Sequence, residues 1–198
     1  MKKSLLLFAL PLLFITTINN AYAGGIKYGP VAGLNLANIG GSDADGNSMK
    51  IGAHVGVGFD FSISDKFSIA PSILYSMKGC ELTVLSVKVK SNTNYIEIPI
   101  LAKYQLDNGI NFSAGPYVGI LAAAHLSSDD ETVDTKSSFN STDIGMKFGV
   151  GYMMKSGFGI GVNYGLGLTT IDKAVNGTSA DIKNNVIGIS LCYMLGGK

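Results

Sequence analysis

MKIGAHVGVGFDF, residues 49–61, places Met, Ile, Ala, Val, Val, Phe and Phe at the odd positions. The even positions hold Lys50, Gly52, His54, Gly56, Gly58 and Asp60. A helix turning every 3.6 residues would scatter these two sets around its circumference, whereas a strand sorts them onto opposite faces. Residues 158–168, FGIGVNYGLGL, repeat the pattern, with Gly159, Gly161, Asn163, Gly165 and Gly167 on the second face. Further strands are expected at 26–38, 67–79, 94–105, 110–125, 143–154 and 185–195, eight in all. The connections 62–66, 106–109 and 155–157 are short and turn-like, while 39–48, 80–93, 126–142 and 169–184 are long and polar.

Magnitudes decide which face looks inward. Strands of globular proteins average about five or six residues, and a tilted membrane strand needs about 9 to 11. The segments here are of the second kind. Glycine, serine, asparagine and a few charges fill one face, and small polar residues suit the narrow lumen of an eight-stranded barrel. The other face is apolar, and its aromatics gather at the end that adjoins short turns or a terminus. Tyr28, Phe59, Phe61, Phe67, Tyr104, Phe112, Tyr152, Phe158 and Tyr193 are therefore expected to form an interfacial girdle. Every backbone group must be paired inside lipid, so the strands must close. The fold expected is all-β: an eight-stranded antiparallel up-and-down transmembrane β-barrel, with termini and short turns on the periplasmic side and four long loops outside.

The remaining sequence bounds the class. Lys2 and Lys3, the apolar run Leu5–Ile18 and Ala21-Tyr22-Ala23 predict a secretory signal over residues 1–23, cleaved after Ala23, with one barrel domain at 24–198. A formal net charge of +1 without a basic run argues against nucleic acid.

Within NYIEIPILAKY, residues 94–104, Glu97 and Pro99 would both be costly in a buried apolar strand. Alternation puts Tyr95, Glu97, Pro99, Leu101 and Lys103 toward the lumen and Ile96, Ile98, Ile100, Ala102 and Tyr104 toward lipid. Glu97 can then pair with Lys147 or another inward lysine. Lys27, Asp60 and Lys103 fall near the periplasmic end, Glu97 and Lys147 near mid-height, and Lys50 with Lys78 toward the outer end. With His54 they are expected to form a paired polar network that plugs the lumen. Pro30, Pro71, Pro99 and Pro116 all lie within strands, so a bulge or a missing ladder bond is expected at each.

YIEIPILAKY (95–104), FSIAPSILYSMKG (67–79), NFSAGPYVGILAA (111–123) and DIGMKFGVGY (143–152) resemble, in order, strands of the PorT-like outer-membrane β-barrel family, small porin-family barrels of the OmpX-like kind. The resemblance implies the outer membrane of a Gram-negative bacterium, with outer-membrane lipid and lipopolysaccharide as neighbours. It also implies no enzymatic chemistry and no cofactor. One named branch of the family assists a protein-secretion system, so envelope or extracellular proteins are possible partners of the outer loops. The chain departs from common barrels at its end, Tyr193-Met-Leu-Gly-Gly-Lys198, which lacks a terminal aromatic.

Competing chemistry has few candidates. A lipid-modifying enzyme barrel would need a histidine beside a serine or acid at the membrane edge. Only His54 and His125 offer a base, and Ser68, Ser72 and Ser76 are inward serines of the common lumen type. Asp43–Asn47, DADGN, lacks the spacing and distal glutamate of a calcium loop, and turn chemistry explains it. SSDDETVD, 127–134, reads as a solvated loop. A small pore has little room among eight strands, and a lipocalin-like carrier should line its cavity with apolar residues. Cys80 and Cys192 fall at opposite ends of the barrel, beyond the roughly 7 Å that a disulfide spans between Cα atoms, so two free thiols are expected.

Overall fold

The computed structural model describes residues 25–44, 46–84, 87–128, 131–174 and 178–197; the expected signal segment lies outside them. Eight long strands carry the fold: β1 (Ile26–Gly40), β2 (Lys50–Ser62), β3 (Phe67–Val84), β4 (Val87–Gln105), β5 (Ile110–Ser127), β6 (Thr142–Met153), β7 (Phe158–Gly167) and β8 (Lys183–Tyr193). Each pairs antiparallel with its neighbour in sequence. β1 also pairs with β8, from Val31↔Cys192 to Gly40↔Lys183, and this closes the barrel.

The faces divide as the alternation predicts. Leu34, Ile51, Val55, Ile73, Ile100, Ile120, Val150, Ile160 and Val162 are exposed on the outer wall, while Asn35, His54, Asp60, Ser76, Glu97, Asp143 and Asn184 are buried inside. This inverts a water-soluble core. Apolar area costs about 25 cal/mol per Å² in water, so the outer band calls for lipid.

The four prolines interrupt the ladders without shifting them. Pairing between β2 and β3 stops at Gly58↔Ser72 and resumes at Phe61↔Ile69, opposite Pro71. Between β3 and β4 it skips from Pro71↔Ile100 to Leu74↔Glu97, across Pro99. Between β4 and β5 it skips from Pro99↔Tyr117 to Ala102↔Ala114, across Pro116. β1 loses its partner strand at Gly29-Pro30, between Tyr28↔Leu195 and Val31↔Cys192. A strand residue points its N–H at one neighbour only, so each proline deletes a rung on one side. Missing rungs are thus found and bulges at the prolines are not. The one register shift between β4 and β5 lies at Asn94/Tyr95.

The expected loop 80–93 is corrected: β3 runs on to Val84 and β4 begins at Val87, paired from Gly79↔Asn92 to Val84↔Val87. Its polarity suggests a loop, but Leu82 with Val84 before the turn and Val87 with Val89 after it keep the strand alternation on each side. Asn47–Ser48 pairs with β3 and Thr132–Asp134 with β5, so a five-stranded sheet rises beyond the barrel. The other long loops are less polar in their packing than their composition suggests. Ile39, Cys80 and Ile171 form a buried cluster with Ala44, Leu82, Phe139 and Ile182 against it. Phe139 also packs on Tyr95, Leu121 and Ala124, so an apolar cap covers the long-loop end. Lys183 donates to Asp181 at 2.8 Å, which holds that exposed carboxyl below the usual carboxylate range. Asp43 accepts from the Asp181 amide at 2.7 Å and ties the first long loop to the last.

Candidate functional site in the barrel lumen

Alternation brings Lys78 of β3, Glu97 of β4, and Asp143 and Lys147 of β6 into one cluster. Lys78 Nζ lies 2.6 Å from Glu97 Oε2 and 3.0 Å from Asp143 Oδ2. Lys147 pairs with the other oxygen, Glu97 Oε1, as the sequence predicts. Asp143 further accepts from Tyr117 Oη at 3.2 Å and from Asn184 Nδ2 at 3.0 Å. The Lys78 ammonium also faces the rings of Tyr117 and Tyr95, 4.4 and 5.2 Å from their centroids. Two lysines and two carboxylates balance in charge, and each buried ion has several partners, which is the condition for burying it.

Lys78 belongs to this mid-height cluster and not to an outer pair with Lys50, because its long side chain reaches back toward β4 and β6. Lys50 instead donates to the Lys78 carbonyl at 3.0 Å. Nearer the short turns Lys103 pairs with Asp60, and Lys27 stands opposite Asp60 in the register. Asp143 and Tyr117 were absent from the network expected from sequence. Parity puts both inward, but a residue beside a loop and a tyrosine in a glycine-rich strand carry no further signal. The space for Tyr117 comes from Gly145, where a Cβ would lie 2.5 Å from its ring.

A second belt lies beside the cluster. His54 Nδ1 is 2.8 Å from Asn35 Oδ1, and its Nε2 is 2.9 Å from Ser190 Oγ. Asn35 Nδ2 donates to Ser76 Oγ at 3.1 Å and to the Met77 carbonyl at 3.0 Å. Asn163 Nδ2 donates to Ser190 Oγ at 3.2 Å. Of Ser68, Ser72 and Ser76, it is Ser76 that joins this belt, through Asn35; the serine that bonds His54 is Ser190. His125 sits in the outer sheet opposite Asn92 and Asp134, away from the belt.

The aromatics expected as a girdle share one end by register. Tyr28 faces Phe59, Tyr104 lies between Phe67 and Phe112, Phe158 faces Tyr193, and Tyr152 faces Ile110. Phe59 and Phe61 stack with centroids 6.4 Å apart. Tyr75, Phe148 and Tyr164 are also exposed on the outer wall, higher up the strands. Cys80 and Cys192 are both free. In the 43–47 stretch Asn47 Nδ2 bonds the Ala44 carbonyl at 2.7 Å as a local turn, and Asp45 lies outside the described residues, as do 129 and 130 of the acidic loop.

Residues 19–173 match the family model described as "Outer membrane protein beta-barrel domain". Among solved structures the chain is similar to Neisserial surface protein A, at 12% identity and a TM-score of 0.51, covering 85% of this chain and 96% of that one. It is also similar to Ail, the attachment invasion locus protein of Yersinia pestis, in complex with the heparin analogue sucrose octasulfate. That match has 14% identity and a TM-score of 0.50, covering 88% of this chain and all of that one (100%). At these identities the likeness is one of fold. No curated protein matches the sequence.

Proposed function

The chain belongs to the outer membrane protein β-barrel domain family, and from that premise we propose that it works by surface interaction through the sheet and loops beyond its barrel. The single observation that carries this reading is the double occlusion of the lumen. An apolar cap around Phe139 and Ile171 covers the long-loop end, and the Lys78–Glu97–Asp143–Lys147 cluster fills the middle. A barrel closed in this way offers its outer surface, and not a conduit, for work. In this reading the chain is exported with cleavage after Ala23 and sits in the outer membrane of a Gram-negative bacterium. The aromatic end lies at the periplasmic interface, and lipopolysaccharide surrounds the outer half.

The outer sheet is ordered, not a set of loose loops, and this favours a preformed binding face. Lys90 and Val133 are exposed on it. Ail, a barrel of the same shape, is seen with a sulfated heparin analogue, which supports an extracellular ligand for this face as well. The segment around Glu97 and Pro99 supports placement in the PorT-like family, and its branch that assists secretion would make an envelope protein the partner. Photo-crosslinking probes at positions 90 and 133 on intact cells should capture a discrete partner. A probe in the short turn at Asp107 should not. Equal capture from both ends, or none from the outer sheet, would count against the reading.

A further inference from the structure

The belt around His54 has a bonding pattern that fixes its protons. The Met77 carbonyl can only accept, so the amide nitrogen of Asn35 must face it and Oδ1 must face His54. Oδ1 in turn only accepts, so in the neutral ring the proton sits on Nδ1 and Nε2 carries the lone pair. Ser190 Oγ then donates to Nε2 across 2.9 Å. A hydroxyl held by a basic imidazole nitrogen, with the imidazole oriented by a third polar group, is the arrangement that activates a nucleophile. It is recognised by geometry and not by order along the chain. Here the order is Asn35, His54, Ser190.

The barrel builds this arrangement by register. Gly33 of β1 lies between His54 of β2 and Ser190 of β8 in one transverse row. A Cβ at Gly33 would lie 2.6 Å from the imidazole, so glycine there lets the ring lie across β1 and reach Ser190. A similar vacancy at Gly188 admits the Asn163 amide, which donates to the serine oxygen at 3.2 Å. A donor so placed stands near the oxyanion that forms two bonds from Ser190 Oγ. Ser190, His54 and Asn163 all line a cavity of about 200 Å³ that extends down to Tyr152, Met153 and Met194 beside the short turns. Its wall mixes these polar groups with Val31, Leu74 and Val186. A structural belt would need the hydrogen bonds alone; an open volume against the serine is an additional feature.

We propose that Ser190 is a nucleophile with His54 as its base, acting on short-chain, water-soluble acyl esters that enter from the short-turn end. Asn35 is a positioning residue. Ser190 Oγ adds to the ester carbonyl carbon and its proton passes to His54 Nε2. The carbonyl–alkoxy bond breaks and the alcohol leaves with that proton. Water, giving a proton to the same nitrogen, then adds to the acyl-serine carbonyl; the carbonyl–Oγ bond breaks, the free acid leaves, and His54 Nε2 returns the proton to Ser190 Oγ. Bilayer acyl chains are excluded because the closed wall separates them from the lumen. This adds an activity whose base, His54, the sequence offers as a candidate, while Ser190 and Asn35 are distant from it in sequence and unremarkable in type.

The test uses the full chain folded in detergent, with folding of every variant checked by heat-modifiable gel migration. Diisopropyl fluorophosphate should add one phosphoryl group, mapped to Ser190, with loss of fluoride. Hydrolysis of p-nitrophenyl acetate should disappear with the same treatment. S190A should remain folded and unlabelled, and H54Q should label about 100-fold more slowly or worse. N35A should slow labelling, and N35D, which restores an acceptor for Nδ1–H, should recover part of the rate. An unlabelled folded wild type, a label on S190A, or an H54Q rate equal to wild type would each show that the belt is structural only.

Discussion

Lys78 is the residue on which the lumen turns. It holds two carboxylates, Glu97 and Asp143, and stacks on two tyrosines, and its side chain is 2% exposed. Removing Lys78 leaves Asp143 buried without a cation while Glu97 keeps only Lys147, so K78M should lose about 3–5 kcal/mol of unfolding free energy in urea titration of the refolded barrel. Adding D143N to K78M should recover much of it, because the neutral amide no longer needs the ammonium and Glu97 keeps Lys147 as its partner. Gly145 gives a second residue-scale expectation. A Cβ there meets the Leu166 carbonyl and the Tyr117 ring, so G145A should cost about 1–3 kcal/mol by overpacking. The Glu97–Lys147 pair was legible in the sequence because parity alone put both inside. The Asp143 share of Lys78 was not, since parity gives a face but neither a height along a tilted strand nor the reach of a lysine.

At the scale of the strand, the prolines form a diagonal of missing rungs across β2/β3, β3/β4 and β4/β5. Amides next to an absent bond open more readily. In hydrogen exchange, residues 70–73 and 98–101 should therefore exchange before 76–79 and 90–94 of the same strands; uniform protection along β3 and β4 would contradict the assignment. That each proline would disturb its ladder followed from its missing N–H. That the disturbance is a gap and not a bulge did not, because either relieves the same deficit and the choice rests on how the neighbouring strand closes over it. The hairpin at 80–93 was hidden by a related ambiguity. Once strands leave the lipid band both faces are wet, so the apolar alternation that marks a membrane strand fades while the pairing persists.

For the whole molecule, the even strand count, the closure and the inverted faces were all readable, since a period of two sustained over 11 or more residues leaves few alternatives. The cap was not readable, because Phe139, Ile171 and Ile182 are isolated apolar residues in polar stretches and only the folded loops bring them together. Two free thiols follow from the barrel's height. Unfolded, unreduced protein should take up two alkyl groups by intact mass, and a bridged pair would take up none. An outward charge should be costly in lipid, so I100R should destabilise the refolded barrel by about 2–4 kcal/mol if Ile100 lies near the bilayer midplane. The most direct test of the central claim, a lipid-embedded barrel with a polar interior, replaces residues 96–102 singly by cysteine on a C80S/C192S background. Each is labelled with a small fluorophore in vesicles and quenched by a lipid-confined spin label. Quenching should alternate, strong at 96, 98, 100 and 102 and weak at 97, 99 and 101; a flat profile, or strong quenching at 97, 99 and 101, would contradict it.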